Sequence, residues 1–220
     1  MPIIKKSKLK KSVEGKSVKQ KNQLPWRNRY VWLLMVIFGL QSGMYYSFTT
    51  WLAPKVQEVG FSDTYAATTA TVFSIIQMIF SFIPILINNS SNRKPWIILC
   101  TLCYFIGIIT LIAGSISPII SAILTGIGAG GLFPIAMILP LDATTTPRDA
   151  SQWTAMIQFD GYIISGAVPI LVGVAKDITH SYNFAFLLLL FVSIILMLLT
   201  LKVRKKKESN FQVNELKTTM

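Results

Sequence analysis

Six long apolar segments constrain the fold of this chain more than any other feature of its sequence. Each is about long enough to span a bilayer core of roughly 30 Å as a helix that rises about 1.5 Å per residue. Only the fifth carries a charged residue in its interior, Asp160. The segments run approximately over 30–53, 64–87, 96–113, 118–141, 150–174 and 184–202. They predict an all-α integral membrane domain of six transmembrane helices over 30–203.

The composition agrees with a membrane protein and argues against two alternatives. Charged residues make up 14% of the chain, against roughly 25% in soluble domains. The strands of a membrane barrel would be shorter and would alternate in polarity. The first segment follows a basic stretch, as in a secretory leader, but it is too long for a leader core and no clear cleavage site follows it. We expect a retained membrane helix.

Lys and Arg are distributed unequally between the two sides of the predicted domain. The stretch before Tyr30 carries ten of them, and the sequence from Lys202 onward carries six. Arg93, Lys94 and Arg148 fall on the same side, which leaves Lys55 and Lys176 on the other. The positive-inside rule therefore predicts that both termini are cytoplasmic, with basic tails at 1–29 and 204–220. We expect the first tail to be solvated and disordered, and no motif predicts nucleic-acid binding.

The fourth segment contains the pattern G-x-G-x-x-G at Gly126, Gly128 and Gly131. A dinucleotide site of this pattern needs a preceding strand and a suitable acid about 20 residues later, and an uncharged membrane segment offers neither. Small residues also recur every four positions through Gly126 and Gly130. Such a face either packs closely against another helix or lines a cavity.

Polar residues form a stripe along the first segment at Gln41, Tyr45 and Thr49. This spacing places them on one helix face, which must contact protein or water rather than lipid. Two interpretations remain open, namely hydrogen bonding between helices and contact with a transported solute. Gln77 in the second segment and Gln158 in the fifth are weaker candidates for the same roles.

Asp160 lies about 15 Å into the fifth segment, close to the bilayer midplane. No Lys or Arg lies within any predicted span to pair with it. A carboxyl at this depth that takes up and releases a proton could couple transport to a proton gradient. The alternative is a protonated aspartate that donates a hydrogen bond to a neighbour such as Tyr162 or Ser165.

The sequence gives no support to an enzyme. Cys100 and Cys103 form C-x-x-C inside an apolar segment without companion ligands, so we expect packing residues and no metal site. His180, the only histidine, lies in a short loop outside the apolar segments, and no G-x-S-x-G nucleophile motif is present. We predict no cofactor.

Two proline-containing stretches indicate an internal repeat. "TTWLAP" at Pro54 is echoed by "AMILP" at Pro140, and "SFIPILI" at Pro84 by "GAVPILV" at Pro169. Three helices are an odd number, so two such units would lie in opposite orientations, a 3+3 inverted repeat. The alternative is that these prolines only kink their helices.

Three stretches resemble the cyanate-transporter-like branch of the major facilitator superfamily. They are "FGLQSGMYYSFTTWLAPKVQEVGFS" from Phe38, "GAGGLFPIAMIL" from Gly128 and "QFDGYIISGAVPILVGVAKDIT" from Gln158. The first resembles the seventh helix of that family and the others its tenth and eleventh, so the chain matches the C-terminal six-helix half. The loop around Arg93 and Lys94 keeps the family's basic pair but lacks the acid that usually accompanies it.

The resemblance implies transport of a small organic solute across the plasma membrane by alternating access, with the proton as the candidate coupling ion. It also implies that the first and fourth helices line the path, and that a second six-helix half, a separate chain or a second copy, supplies the other wall. No cation in a span offers a counter-charge to an anion. The competing interpretation is a membrane remnant or interaction subunit that keeps the half-transporter fold without transporting.

Overall fold

The computed structural model describes residues 26–86, 93–114 and 116–204, which form seven α-helices. Of the predicted tails, 1–25 and 205–220 lie outside the described residues. Six of the helices are long and apolar enough to cross a membrane, if the second and third are counted as one span. The helices are α1 Arg29–Glu58, α2 Asp63–Phe80, α3 Ile83–Leu86, α4 Lys94–Ala113, α5 Pro118–Ala143, α6 Pro147–Thr179 and α7 Tyr182–Thr200.

Most of the long helices extend beyond the predicted apolar segments, and polar side chains cap the starts of several of them. The side chain of Asn28 accepts a hydrogen bond from the Tyr30 amide at the start of α1. Thr146 does the same for Asp149 at the start of α6. Such caps satisfy amides that the helix itself leaves unpaired. An apolar run therefore marks the part of a helix inside the hydrocarbon, whereas the helix continues to its cap.

The second predicted segment is a broken helix rather than a continuous one. α2 ends at Phe80 and α3 begins at Ile83. Pro84 has no amide hydrogen to donate to the carbonyl of Phe80, and its ring would crowd that carbonyl. The break therefore lies one turn before the proline. Pro54, Pro134, Pro140 and Pro169 all remain inside their helices.

The first helix of each predicted repeat packs against the second helix of the other repeat. A methyl group at Gly39 or Gly43 of α1 would meet Ile164 or Val168 of α6, at 2.7 and 2.5 Å. Gly126 and Gly130 of α5 face α2 in the same way. The two glycine pairs have the same spacing, and the second follows the first by 87 residues. This exchange is what two repeats related by a pseudo-two-fold axis produce.

α1 and α5 occupy the centre of the bundle. About two thirds of the apolar part of each is buried (67% and 61%), against 22% for α2 with α3 and 28% for α6. The Phe48 ring of α1 packs edge-on against Tyr104 and Phe186 and stacks on Phe73, which joins α1 to α4, α7 and α2. The outer helices expose large apolar side chains such as Ile163 and Phe191, as expected of a membrane protein.

Candidate transport path

The polar stripe of α1 begins inside the bundle and emerges at its surface. Gln41 is only 1% exposed, Tyr45 is half-buried and Thr49 is exposed. The Tyr45 ring stacks on Phe73 of α2, with ring centroids 6.2 Å apart. The Thr49 hydroxyl donates to the carbonyls of Tyr45 and Tyr46 in its own helix. The three predicted residues therefore share a face but not an environment.

Gln41 is incompletely satisfied despite its complete burial. Its Oε1 accepts a hydrogen bond from the Ser42 hydroxyl at 3.2 Å, whereas its Nε2 has no partner among the described residues. A buried amide nitrogen without a partner costs about 1–3 kcal/mol. An orphaned donor of this kind can be satisfied by a water or by a bound molecule.

α2 packs directly against the face of small residues that was predicted on α5, at Gly126 and Gly130. A methyl group at Gly126 would lie 2.9 Å from the Phe73 carbonyl oxygen, and one at Gly130 would lie 2.5 Å from that of Gln77. Gly128 and Gly131 face Cys100 and Tyr104 of α4 instead. The Gly126 and Gly130 face therefore packs closely against α2 in this structure and lines no cavity. Close packing on two sides explains why the segment is rich in glycine.

Asp160 and Gln158 lie on α6 without joining the polar stripe of α1 by a hydrogen bond. Asp160 is half-buried, and its Oδ2 is buried without a hydrogen-bond partner in the described part of the chain. Neither expected neighbour, Tyr162 or Ser165, bonds to this Oδ2, and the Ser165 hydroxyl donates to the Tyr162 carbonyl at 2.9 Å. The adjacent Gly161 lies against Phe38 of α1. Asp160 is thus an acid with no compensating partner near the α1–α6 contact.

The basic loop pair does have an acidic companion, contrary to the expectation from the sequence. Arg93 precedes α4, is 6% exposed, and its Nε forms an ion pair with Oδ2 of Asp142 near the end of α5. The acid is supplied by α5 rather than by the loop, so the sequence of the loop alone does not reveal it. Lys94 is the first residue of α4 and is half-buried.

Lys55 lies within α1, two residues beyond the apolar segment that ends at position 53, so the helix carries a cation just past the predicted span. Its side chain is 2% exposed, and its Nζ donates to Glu58 Oε2 at 2.9 Å and to Asn183 Oδ1 at 2.6 Å. Glu58 in turn accepts a hydrogen bond from the Tyr182 amide at the start of α7. The three side chains tie the end of α1 to the start of α7.

The described residues contain no group of three or more His, Cys, Asp or Glu that could hold a metal ion. Cys100 is buried against Gly131, Cys103 is half-buried, and both are free thiols. His180 is exposed and ends α6 in the left-handed region at φ 53°.

Comparison with known proteins decides the family. The model of the Major Facilitator Superfamily matches residues 31–218. The chain belongs to this superfamily. Its members are membrane transporters, which agrees with the six apolar helices and the multi-pass arrangement.

The curated relatives confirm the predicted branch. The chain is 30% identical to the cyanate transport protein CynX of Escherichia coli over 152 residues, 69% of this chain and 40% of CynX. It is 24% identical to the uncharacterized transporter YycB of Bacillus subtilis over 171 residues, 76% of this chain and 42% of YycB. An uncharacterized protein of Archaeoglobus fulgidus is 28% identical over 123 residues. The chain thus spans less than half the length of the first two relatives.

Sequence reasoning missed three features of the site. Asp142 was hidden by its distance from Arg93 in the chain, and Lys55 by the assumption that the first helix ends before it. The pair Gly39 and Gly43 could have been found, because it repeats the spacing of Gly126 and Gly130 within the proposed repeat.

Proposed function

We propose that this chain is one six-helix half of a plasma-membrane transporter that moves a small organic solute by alternating access together with a second six-helix half. The exposed hydroxyl-bearing face of α1 carries this proposal. Tyr46 is 41% exposed and its hydroxyl has no hydrogen bond within the described residues, and Thr49 and Thr50 lie exposed one turn further on. The Thr49 hydroxyl is bonded within its own helix, but lipid cannot satisfy the Tyr46 hydroxyl within a membrane span.

The central position of α1 and α5 supports the same arrangement. Transporters of this architecture bind solutes near the midplane at an interface between repeats or halves. Gln41 of α1 and Asp160 of α6 each leave one buried polar atom without a partner. We propose that these two residues, with Tyr45, Thr49 and Gln158, line or adjoin the solute path. Gly126 and Gly130 shape the path indirectly, by holding α2 against α5.

The charges of this six-helix half favour a solute that does not require an unpaired Lys or Arg as its counter-charge. Lys55 and Arg93 are buried, but each is paired with an acid, Glu58 and Asp142. The relative named for cyanate transport makes that anion a first compound to test. A neutral solute that carries an acceptor for Gln41 Nε2 and a donor for Asp160 Oδ2 fits these unpartnered groups equally well.

We place both termini in the cytoplasm. Asn28 and Arg204 lie at one end of the bundle with Asp142 and its partner Arg93, whereas Lys55, Asn183 and Lys176 lie towards the other. The first end is continuous with both basic tails, and the positive-inside rule assigns it to the cytoplasm.

Flux measurements test the proposal. The chain would be reconstituted alone and with the protein that copurifies with it from native membranes, and uptake of labelled cyanate and of a panel of small organic acids and amides would be followed. We expect uptake of at least one compound only when the second half, or a second copy, is present. A stable chain with its bound partner that moves none of the panel would favour the non-transporting interaction subunit.

A further inference from the structure

A cavity of about 400 Å³ opens at the end of the bundle that carries Asn28 and Arg204, away from the proposed solute path. Tyr30 and Trp153 form aromatic walls, with ring centroids 6.5 Å apart. Leu139 and Ala143 give it an apolar side, and Asp142 and Arg204 are its charged lining residues. The cavity therefore combines an apolar floor, two aromatic rings and two charges of opposite sign.

The two charges are not equivalent, because only one of them is compensated. Asp142 is already paired with the buried Arg93. Arg204 has no carboxylate within ion-pairing distance in the described part of the chain. Its backbone amide donates to the Tyr30 hydroxyl at 3.1 Å, and its guanidinium lies over the Tyr30 ring, 5.1 Å from the centroid. The uncompensated charge on the cavity wall is therefore positive.

Arg93 compensates Asp142 from behind the cavity wall and does not itself line the cavity. Its Nη1 is buried and has no hydrogen-bond partner among the described residues. A guanidinium presents a planar fork of donors that matches a phosphate better than a single point charge does. Because Asp142 is compensated and the Arg204 guanidinium is not, the electrostatics of the cavity favour an oxyanion over a cation.

Neighbouring tryptophans place the cavity at the level of lipid headgroups. Trp26 and Trp32 pack against each other at 5.8 Å, close in sequence to Tyr30, and both are exposed. Aromatic residues with one polar edge concentrate at the membrane–water interface. An oxyanion at this depth, above an apolar floor, has the chemistry of a phospholipid headgroup rather than of a solute deep in the bilayer.

We propose that this cavity binds the phosphate of an anionic phospholipid, with Arg204 as its principal ligand and Tyr30 as the residue that positions Arg204. The inference does not depend on the transport function. A soluble phosphate ester would offer the same charge, so the experiment must separate the two sources.

Lipid titration of the purified full chain tests the site. Intrinsic tryptophan fluorescence would be followed as short-chain phosphatidylglycerol or phosphatidylcholine is added to the delipidated protein in detergent. We expect tighter binding of phosphatidylglycerol, weakened about fivefold by Arg204→Gln, as the loss of about 1 kcal/mol per basic residue implies. Lys202→Gln is the matched control, because it removes the same charge from an exposed residue two positions away. It should leave the affinity nearly unchanged.

The outcomes separate a specific site from general attraction. Equal losses in Arg204→Gln and Lys202→Gln, or equal affinity for the two lipids, would overturn the proposal. Full displacement of phosphatidylglycerol by glycerol phosphate would keep the phosphate site but assign it to a soluble ester, whereas failure to compete supports the lipid. If Arg204→Gln does not show a cooperative thermal transition, Arg204→Lys against Lys202→Arg decides. Only the first should weaken binding, because it loses the planar fork.

Discussion

Asp160 is the residue whose chemistry is least explained by packing. An aspartate at the centre of a membrane helix costs about 2.5–3.5 kcal/mol on insertion scales, yet here no described residue bonds to it. Ionisable side chains that lie unpaired inside a membrane segment more often have a function than a purely structural role. We propose that Asp160 binds and releases the coupling proton.

Replacing Asp160 by Asn should abolish the pH dependence of transport while leaving the protein in the membrane. The substitution keeps the size of the side chain but removes its titration. Uptake would be measured with and without an imposed pH gradient in the reconstituted complex. Asp177→Asn, at an exposed acid near the far end of the same helix, is the control and should transport like the wild type. A pH response that survives in Asp160→Asn would leave this residue a structural acid.

Gly130 should not tolerate even a methyl group. Its Cβ would lie 2.5 Å from the backbone oxygen of Gln77, so α2 and α5 would have to separate. Overpacking of this kind costs about 1–3 kcal/mol, and Gly130→Ala should lower the thermal unfolding temperature in detergent. Gly166→Ala is the matched control, because nothing lies within 4 Å of its added methyl. Equal behaviour of the two variants would show that the glycine contact does not limit stability.

At the residue scale, the sequence predicted correctly those features that polarity alone determines, such as which residues lie in a membrane helix. The uncharged glycine-rich run had to be a membrane helix, and its glycines had to face something. Two alternatives were open for Gly126 and Gly130, namely close packing against another helix and the lining of a cavity. Only the three-dimensional packing, which places α2 opposite them, decides between the two. Gln41 is a similar case, because its spacing from Tyr45 and Thr49 predicts which helix face it lies on but not that it is buried.

At the scale of elements, helices are fixed to one another by polar contacts at their ends. Lys55 joins α1 to α7 through Asn183 and through Glu58, which caps the Tyr182 amide. Loss of Lys55 would leave Glu58 and Asn183 without their donor. The bond from the Tyr182 amide to Glu58 would then be the one polar contact of this cluster left between α1 and α7.

Lys55→Met should therefore destabilise the chain by about 2 kcal/mol, somewhat less than the 3–5 kcal/mol for a fully buried pair, because Glu58 is 29% exposed. Thermal unfolding in detergent measures the effect. Lys176→Met is the matched control, since Lys176 pairs with Asp177 at 3.3 Å in an exposed setting, where such pairs contribute about 0–1 kcal/mol. If both substitutions cost the same, the buried cluster does not hold α1 to α7.

Helix existence was predictable, and helix ends were less so. All six spans were expected from apolar length, but each terminus depends on a cap or a proline whose effect is local. Pro84 interrupts its span, whereas Pro169, its proposed repeat partner, does not. The same residue type at equivalent positions thus gives different backbones.

For the whole molecule, we propose an arrangement across the membrane from the basic tails and the positive-inside rule. Cysteine labelling in whole cells tests it on a background with Cys100 and Cys103 replaced by alanine. An impermeant maleimide should label Gln57→Cys from outside, and should label Thr145→Cys only after permeabilisation. Both positions are exposed at opposite ends of the bundle. Labelling of Thr145→Cys in intact cells would invert the assignment.

The 3+3 arrangement was predicted from the sequence, whereas the packing of the first helix of each repeat against the second helix of the other was not. The two proline echoes indicated a 3+3 arrangement, and the glycine pairs of α1 and α5 now give it a contact basis. The sequence could not show that the hydroxyl face of α1 stays uncovered by the other five spans. That observation gives the strongest reason to expect a second half.

Photo-crosslinking from Tyr46 in native membranes tests this central claim most directly. A benzophenone amino acid would replace Tyr46 on the exposed polar face of α1, and, as a control, Leu198 on α7, which is also exposed (58%) but surrounded by apolar residues. We predict a covalent adduct from position 46, identified by mass spectrometry as a six-helix chain or a second copy, and none from position 198. A stably inserted chain that remains uncrosslinked at position 46 would contradict the half-transporter account.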